Sequence, residues 1–292
     1  MLRLQSQVTT PEESVAKNSS IEWTHHTFNP WWGCAKVSDA CKHCYAETWA
    51  KRVGSDVWGP ESARRFFGDA HWKNPLKWNE EAARVGMRQR VFCASMADVF
   101  EDRRDLDPWR ERLWALIEAT PHLDWLLLTK RPECIGDLAP WQMQWPKNIW
   151  LGTTAETQRW AEARIPLLVQ YPAAVRFVSC EPLLGPLDLR AWMRGASLHW
   201  VIAGGESGFH ARPMNPAWAQ ALRDQCAREG VAFHFKQWGH WCPSESGEQH
   251  QRAQIIAVQD SSGQMLRLVA TGKKAAGRRL DGRYWDEFPT HT

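Results

Sequence analysis

From residue 90 onward the chain alternates short apolar runs with amphipathic segments. Arg90-Val-Phe-Cys-Ala-Ser-Met96, Trp125-Leu-Leu-Leu-Thr129, Ile149-Trp-Leu-Gly-Thr153, Val175-Arg-Phe-Val-Ser-Cys180, His199-Trp-Val-Ile-Ala-Gly204 and Val231-Ala-Phe-His-Phe-Lys236 read as buried strands. Between them, helices are predicted over 109–119, 132–138, 157–170 and 216–229, with a short helical or irregular segment over 187–193. Pro108 stands near the start of the first, Pro166 interrupts the third, and Gly230 caps the fourth. Upstream, Ser20 to Phe28 alternates well enough for a first strand, 45–53 and 75–85 read as helices, and 54–73 as loop.

About seven strands separated by helices imply a parallel sheet with right-handed crossovers. The fold class expected is α/β, a full or partial (β/α) barrel, over residues 21–240. No Gly-rich turn follows the first strand, which argues against an open nucleotide-binding sheet. Residues 1–20 read as a flexible arm. After residue 240 the pattern changes. Residues 241–251 are polar and loop-like, while 253–259 and 264–270 alternate around Asp260-Ser-Ser-Gly263 as a β-hairpin. That hairpin and a basic tail are expected to pack on the barrel as an appendage, 241–292.

Composition narrows the class. An apolar share of 43% and a charged share of 24% describe a globular protein, and a net charge of +3 identifies no partner. The opening residues lack an apolar signal segment and no apolar run is long enough to span a membrane, so a cytoplasmic chain with reduced thiols is expected. Twenty tryptophans mostly flank helices and strands, where they supply core area; stacking on bases is the other use open to them.

Three of the eight cysteines, Cys34, Cys41 and Cys44, fall within eleven residues at spacing C-x6-C-x2-C, directly after the first strand. Three thiolates hold a metal or cluster and leave one position open. Barrels of this kind place their chemistry at the C-terminal ends of strands. Those ends carry Asp98, Lys130-Arg131, Thr153 and Glu156, Cys180-Glu181, Gly204-Gly205-Glu206 and Lys236, so a polar cavity is expected on the rim where the cysteine loop begins.

Asn29-Pro-Trp-Trp-Gly-Cys34, Cys41-Lys-His-Cys44-Tyr-Ala-Glu47, Ser179-Cys-Glu-Pro-Leu183, Gly204-Gly-Glu-Ser-Gly208, Phe235-Lys-Gln-Trp-Gly239 and Gly277-Arg-Arg-Leu-Asp-Gly-Arg-Tyr-Trp-Asp286 resemble a phage-associated, three-Cys-motif, radical-SAM-like family of unknown function. The resemblance runs from residue 20 nearly to the end. It implies a [4Fe–4S] cluster on Cys34, Cys41 and Cys44, with S-adenosyl-L-methionine (SAM) on its open iron. An electron from a flavodoxin- or ferredoxin-like reductant would then cleave SAM to a 5′-deoxyadenosyl radical. His43 would occupy the aromatic position near the adenine. Asp98 and Glu206 are both candidates for the SAM amino group, with Thr153, Glu156, Gly204 and Gly205 as further contacts. Two departures stand out. Radical SAM proteins more usually space their cysteines C-x3-C-x2-C, and their Gly-Gly-Glu follows the second strand, not the sixth. A dedicated three-Cys-motif partner protein accompanies some relatives.

The substrate is not readable from the sequence. Lys130, Arg131 and Lys236 suit its phosphate or carboxylate groups, Glu181 joins Lys130 as a candidate catalytic residue, and Cys180 is either a hydrogen donor to a substrate radical or a packing thiol. Arg64-Arg65 and the tail cations Lys273, Lys274, Arg278 and Arg279 point to nucleic acid as a partner, or are solvated surface charge. The alternative is zinc on the three cysteines with His25, His26 or His71, in a nucleic-acid-binding or hydrolytic protein.

Overall fold

A computed structural model of the chain describes residues 19, 21–244, 253–260 and 263–290. Among them the strands are β1 (His26–Phe28), β2 (Trp31–Trp32), β3 (Arg65–Phe66), β4 (Gln89–Cys93), β5 (Leu123–Thr129), β6 (Ile149–Thr154), β7 (Val175–Cys180), β8 (Trp200–Gly204), β9 (Ala232–Gln237), β10 (Trp241–Ser244), β11 (Ile255–Gln259) and β12 (Met265–Ala270). The α-helices are α1 (Tyr45–Arg52), α2 (Asp69–Trp72), α3 (Asn74–Val85), α4 (Asp107–Glu118), α5 (Ile135–Leu138), α6 (Gln158–Leu168), α7 (Arg190–Met193), α8 (Pro216–Glu229) and α9 (Lys273–Ala276). No helix among the described residues is long and apolar enough to cross a membrane.

Seven strands form one all-parallel sheet in the order β1-β4-β5-β6-β7-β8-β9. Its two edges are not paired with each other, so the barrel is partial. Trp23 shows how strongly the sheet curls. Its ring lies 4.5 Å from that of Phe92 on β4 and 6.2 Å from that of Trp200 on β8. In a flat sheet strands four places apart would be about 19 Å distant. Only a half-barrel lets one side chain touch both.

The period-two alternation of each strand divides the core. Phe92, Leu126, Trp150, Phe177, Trp200 and Ile202 face inward. Their neighbours Val91, Trp125, Leu151, Val178 and Val201 face outward against Leu113 and Ile117 of α4, Ile165 of α6 and Leu222 of α8. Both faces are buried, which is why the strands read as continuous apolar runs. At the end where the strands begin, Trp23, Trp150 and Trp200 fill the interior and Phe288 packs against Trp200 at 5.3 Å. Trp200 Nε1 donates to the Glu287 carbonyl at 2.9 Å, and Phe233 N donates to Glu287 Oε2 at 2.9 Å. The C-terminal segment thus plugs one end of the half-barrel, and the end where the strands finish holds the cavity.

Three local expectations are corrected. The first strand is His26–Phe28 and not Ser20–Phe28, because Thr24 N turns back to the Ile21 carbonyl and Trp23 enters the interior. Residues 54–73 are not all loop. β3 pairs antiparallel with β2, Trp31 opposite Phe66, and α2 follows. Trp241–Ser244, expected to be loop, pairs with β12 and extends the β11–β12 hairpin into a three-stranded sheet. The N-terminal arm (except Ser19), residues 245–252, and Ser261 and Ser262 of the hairpin turn lie outside the described residues.

Candidate functional site: a cysteine-lined cavity at the open end

The inward period of the strands continues past their apolar floor into polar residues. Lys130 beyond β5, Thr154 at the end of β6, Ser179 and Glu181 on and after β7, and Lys236 on β9 line a cavity of about 150 Å³ floored by Trp23, Phe92 and Leu128. Cys34, Cys41 and Cys44 line the same cavity. A larger space of about 600 Å³ adjoins it, sharing Cys44, Lys130, Glu181 and Lys236 and reaching His43, Trp49, Glu206 and Lys273.

The cysteine loop takes its shape from the residues around it. Asn29 Oδ1 accepts from Met96 N at 2.8 Å, and Gly33 N donates to the Met96 carbonyl at 3.0 Å, so the loop leaves β1 tied to the end of β4. Gly33 has φ +116°, and a Cβ there would run into the Val57 carbonyl. Only glycine fits at that position. A 3₁₀ turn over Asp39–Cys41 follows, and Cys44 is the N-cap of α1.

Four carboxylate–arginine pairs grip the loop. Glu101 receives both Nε and Nη2 of Arg64 and also accepts from Ala35 N at 3.1 Å. Asp98 pairs with Arg131 at 3.0 Å; Arg131 donates to the Ala35 carbonyl at 2.8 Å and approaches Cys34 Sγ at 3.7 Å. Glu156 pairs with Arg164 at 3.0 Å and accepts from Ala40 N at 3.1 Å. Glu206 receives Arg212 at 2.5 and 2.8 Å, and Arg212 also donates to the Asp39 carbonyl at 3.0 Å. His43 Nδ1 lies 3.3 Å from the same carboxylate. Burial alone would raise the Glu206 carboxyl; the hydrogen bonds and charge of Arg212 outweigh it and hold it below the ordinary carboxylate value.

The sequence-predicted acids are therefore placed unevenly. Asp98 accepts from Phe100 N, Thr129 Oγ1, Lys130 N and Arg131, so both of its oxygens are occupied. Glu156 is fully buried and lines neither cavity. Glu181 differs: Oε2 receives Lys236 Nζ at 2.6 Å, and Oε1 has no hydrogen-bond partner among the described residues. Lys130 Nζ forms no hydrogen bond or ion pair among the described residues; burial raises the Cys44 thiol above its ordinary value, and the charge of Lys130 opposes part of that rise. Gly205 lies against Trp238, and a Cβ there would overlap the Trp238 carbonyl, so close approach of the chain after β9 accounts for this glycine. Gly204 packs beside Glu181.

Other candidates lie elsewhere. Cys180 faces outward into the helix-packed core, completely buried near Cys226 of α8, and burial pushes its thiol far above the ordinary value. Thr153, also outward, donates to the Thr129 carbonyl at 2.9 Å. Arg64 is an internal strut, donating to Val57, Ser62 and Gly59 carbonyls as well as to Glu101. Arg65 lies over Trp32 at 4.8 Å. Arg278 pairs with Asp286, and Arg279 lies over Tyr284 at 5.2 Å. Lys273 reaches the larger cavity; Lys274 is exposed beside it on α9. His25, His26 and His71 line neither cavity. His26 bonds Gln89 at 2.6 Å and stacks on Trp78, and His71 donates to the Asn29 carbonyl at 2.8 Å, so the Cys3His zinc set is not assembled.

Three residues of the grip were missed by sequence reasoning: Glu101, Arg164 and Arg212. Arg164 carried a signal, because it occupies the same helical stripe as Ala161, Ile165 and Leu168, where an unpaired cation has no place.

The chain belongs to a family described as protein of unknown function (DUF5131), which matches residues 18–289. No curated protein matches it. Among solved structures it is similar to spore photoproduct lyase complexed with dinucleoside spore photoproduct, at 12% identity and TM-score 0.47, over 89% of this chain and 72% of that one. A spore photoproduct lyase mutant with bound AdoMet and dinucleoside spore photoproduct gives 12% identity and TM-score 0.43, over 85% and 69%.

Proposed function

We propose that this protein is a radical-SAM-like enzyme that holds a [4Fe–4S] cluster on Cys34, Cys41 and Cys44 and acts on a nucleotide or nucleic acid seated in the larger cavity. The observation that carries this reading is that the three cysteines of one loop line one cavity with Lys130, Glu181 and Lys236. Among the described residues no three His, Cys, Asp or Glu side chains stand together at ligating distance. The donor set nevertheless fits a thiolate-bound metal, since each thiol has a cation near it. Arg131 approaches Cys34, and Arg164 and Lys130 interact electrostatically with Cys41 and Cys44. Burial and the Asp98 carboxylate, opposed by Arg131, push the Cys34 thiol up to about 12, so metal must displace its proton.

Held by Cys34, Cys41 and Cys44 and reduced by a flavodoxin- or ferredoxin-like donor, such a cluster would supply the single electron for reductive cleavage of the S–C5′ bond of SAM, with methionine as the leaving group and the 5′-deoxyadenosyl radical as the species that would take a hydrogen atom from substrate. The protein's own part is binding and exclusion of water. Glu181, with one oxygen free, suits the SAM ammonium, and Lys130 suits its carboxylate. His43 borders the larger cavity at the position that the family resemblance gives to the adenine contact. The apolar floor of Trp23, Phe92 and Leu128 keeps water from below. Tyr45 and Trp49, one turn apart on α1, line the larger cavity together with Lys130, Lys236 and Lys273. Rings and cations together suit a base and its phosphate, and a base from a duplex would have to be flipped or single-stranded to enter.

Anaerobic reconstitution tests the reading. A brown protein with about four irons per chain is expected. It should form 5′-deoxyadenosine from SAM under reduction, and the Cys41→Ala variant should not. A colourless protein carrying one zinc, or equal product from the variant, would refute it.

A further inference from the structure

We infer that Asp98, Glu101, Glu156 and Glu206, each locked to its arginine, are positioning residues. They fix the backbone path of the cysteine loop across the open end of the half-barrel before any metal arrives and leave no carboxylate oxygen of their own for SAM. The metal chemistry at issue is that of the proposed function, but the inference concerns the metal-free chain and can fail separately.

The grips follow the order of the sheet. The loop leaves β1 and crosses the open end of the half-barrel. Its start, Ala35, is held by Glu101 and Arg131, beyond β4 and β5. Its middle, Ala40, is held by Glu156, beyond β6. Asp39 and His43 are held by Arg212 and Glu206, beyond β8. The contacts to Ala35, Asp39 and Ala40 are to backbone groups, so they fix the path of the loop whatever the thiols bind.

The electrostatics exclude a second duty for these acids. Their side chains are almost wholly buried, with exposures of 7% for Asp98, 4% for Glu101, 0% for Glu156 and 4% for Glu206. In each case an arginine shares the burial, and a buried carboxylate separated from its partner is strongly disfavoured. Recruiting one of them to an incoming ammonium would break its pair and release the loop. The loop needs such fixing. Between Gly33 and α1 its regular structure is one 3₁₀ turn, and a chain segment ordered only on metal binding would subtract its ordering entropy from the affinity.

The test uses the full-length, metal-free protein with Co²⁺ alone as probe. In the wild type, the amides of Ala35 and Ala40 should exchange slowly, because each donates to a buried carboxylate. Co²⁺ should give an intense thiolate charge-transfer band. Arg212→Met is the cleanest variant, since Arg212 is partly exposed and outside the sheet. It should speed exchange over residues 39–44 while the β5 and β6 amides keep their protection. Its Co²⁺ affinity should fall about 10-fold or more, the range for groups that orient metal ligands. Arg212→Lys should recover part of the loss, and Glu101→Gln, which keeps an acceptor for Ala35, should lose less than Glu101→Ala. Fast exchange at Ala35 and Ala40 in the wild type, or wild-type Co²⁺ affinity and spectrum in Arg212→Met, would overturn the inference. A wild type with a protected loop that never takes up iron would instead count against the proposed function alone.

Discussion

Lys236 Nζ sits 2.6 Å from Glu181 Oε2, and the other oxygen of that carboxylate, Oε1, has no hydrogen-bond partner among the described residues. A salt bridge with one unused oxygen beside three thiols is a different object from the saturated acids around it. It retains capacity for a cationic ligand without surrendering its own partner. Glu181→Gln keeps the size of the side chain and removes the charge. The variant should bind iron as the wild type does, while SAM affinity measured by calorimetry falls about 10-fold or more, as expected for loss of a charged hydrogen bond. Unchanged affinity would remove Glu181 from the binding site.

Cys180 is expected to be silent in catalysis. It lies on the outward face with Cys226, the sheet between it and the cavity. Cys180→Ala should cost about 1 kcal/mol of stability through lost packing and leave turnover unchanged. If the variant folds normally but arrests on substrate, the thiol has a role that this geometry does not allow.

Gly205→Ala should be among the more damaging single substitutions. Its Cβ would overlap the Trp238 carbonyl, and the chain there cannot retreat because Gly239 is pressed in turn against Glu206. A loss of about 3 kcal/mol or more in denaturant unfolding is expected for backbone overlap of this kind. An alanine tolerated at wild-type stability would show that β8 and β9 part easily at their ends.

Stability should decline with acid through His234. Burial lowers its pKa from 6.5 to about 4; Asp286 opposes the shift, while Arg278, Lys236 and Arg90 reinforce it. The unfolded chain takes up the proton near 6.5 and the folded one only near 4. The stabilisation is therefore complete above pH 6.5 and is lost as pH falls toward 4, by about 3 kcal/mol in all. Urea unfolding of wild type and His234→Gln between pH 7 and 4.5 should show a shallower slope for the variant. Parallel slopes would assign the acid sensitivity to other groups.

Arg64→Ala and Lys273→Ala should separate structural from surface cations. Arg64, with its side chain fully buried against Glu101, should cost about 3–5 kcal/mol of stability when removed. Lys273→Ala should leave stability unchanged and weaken binding of a single-stranded oligonucleotide, with a shallower salt dependence. Identical salt profiles for wild type and Lys273→Ala would exclude Lys273 from any phosphate contact.

The strand–helix alternation was legible because buried strands and amphipathic helices each impose a periodicity that no distant residue alters. Val175–Cys180 and Pro216–Glu229 match their expected limits. Trp241–Ser244 was not legible, because its pairing partner lies some 25 residues further along and the segment carries no alternation of its own. The cysteine spacing and the polar strand ends were equally plain in the sequence. What a carboxylate at a strand end does was not, since Asp98, Glu156, Glu181 and Glu206 look alike in one dimension.

The sequence by itself determined the parallel α/β sheet, the position of the cysteine loop after its first strand, and the gathering of polar residues at the strand ends. Tertiary structure decided which of those residues face one another. Inward and outward positions on a strand differ by a single residue, which puts Cys180 and Glu181 on opposite faces. The arginines that saturate Asp98, Glu101, Glu156 and Glu206 arrive by folding, from 33, 37, 8 and 6 positions away. Pairing in a low-dielectric interior depends on distance in space, and that is set only when the sheet curls.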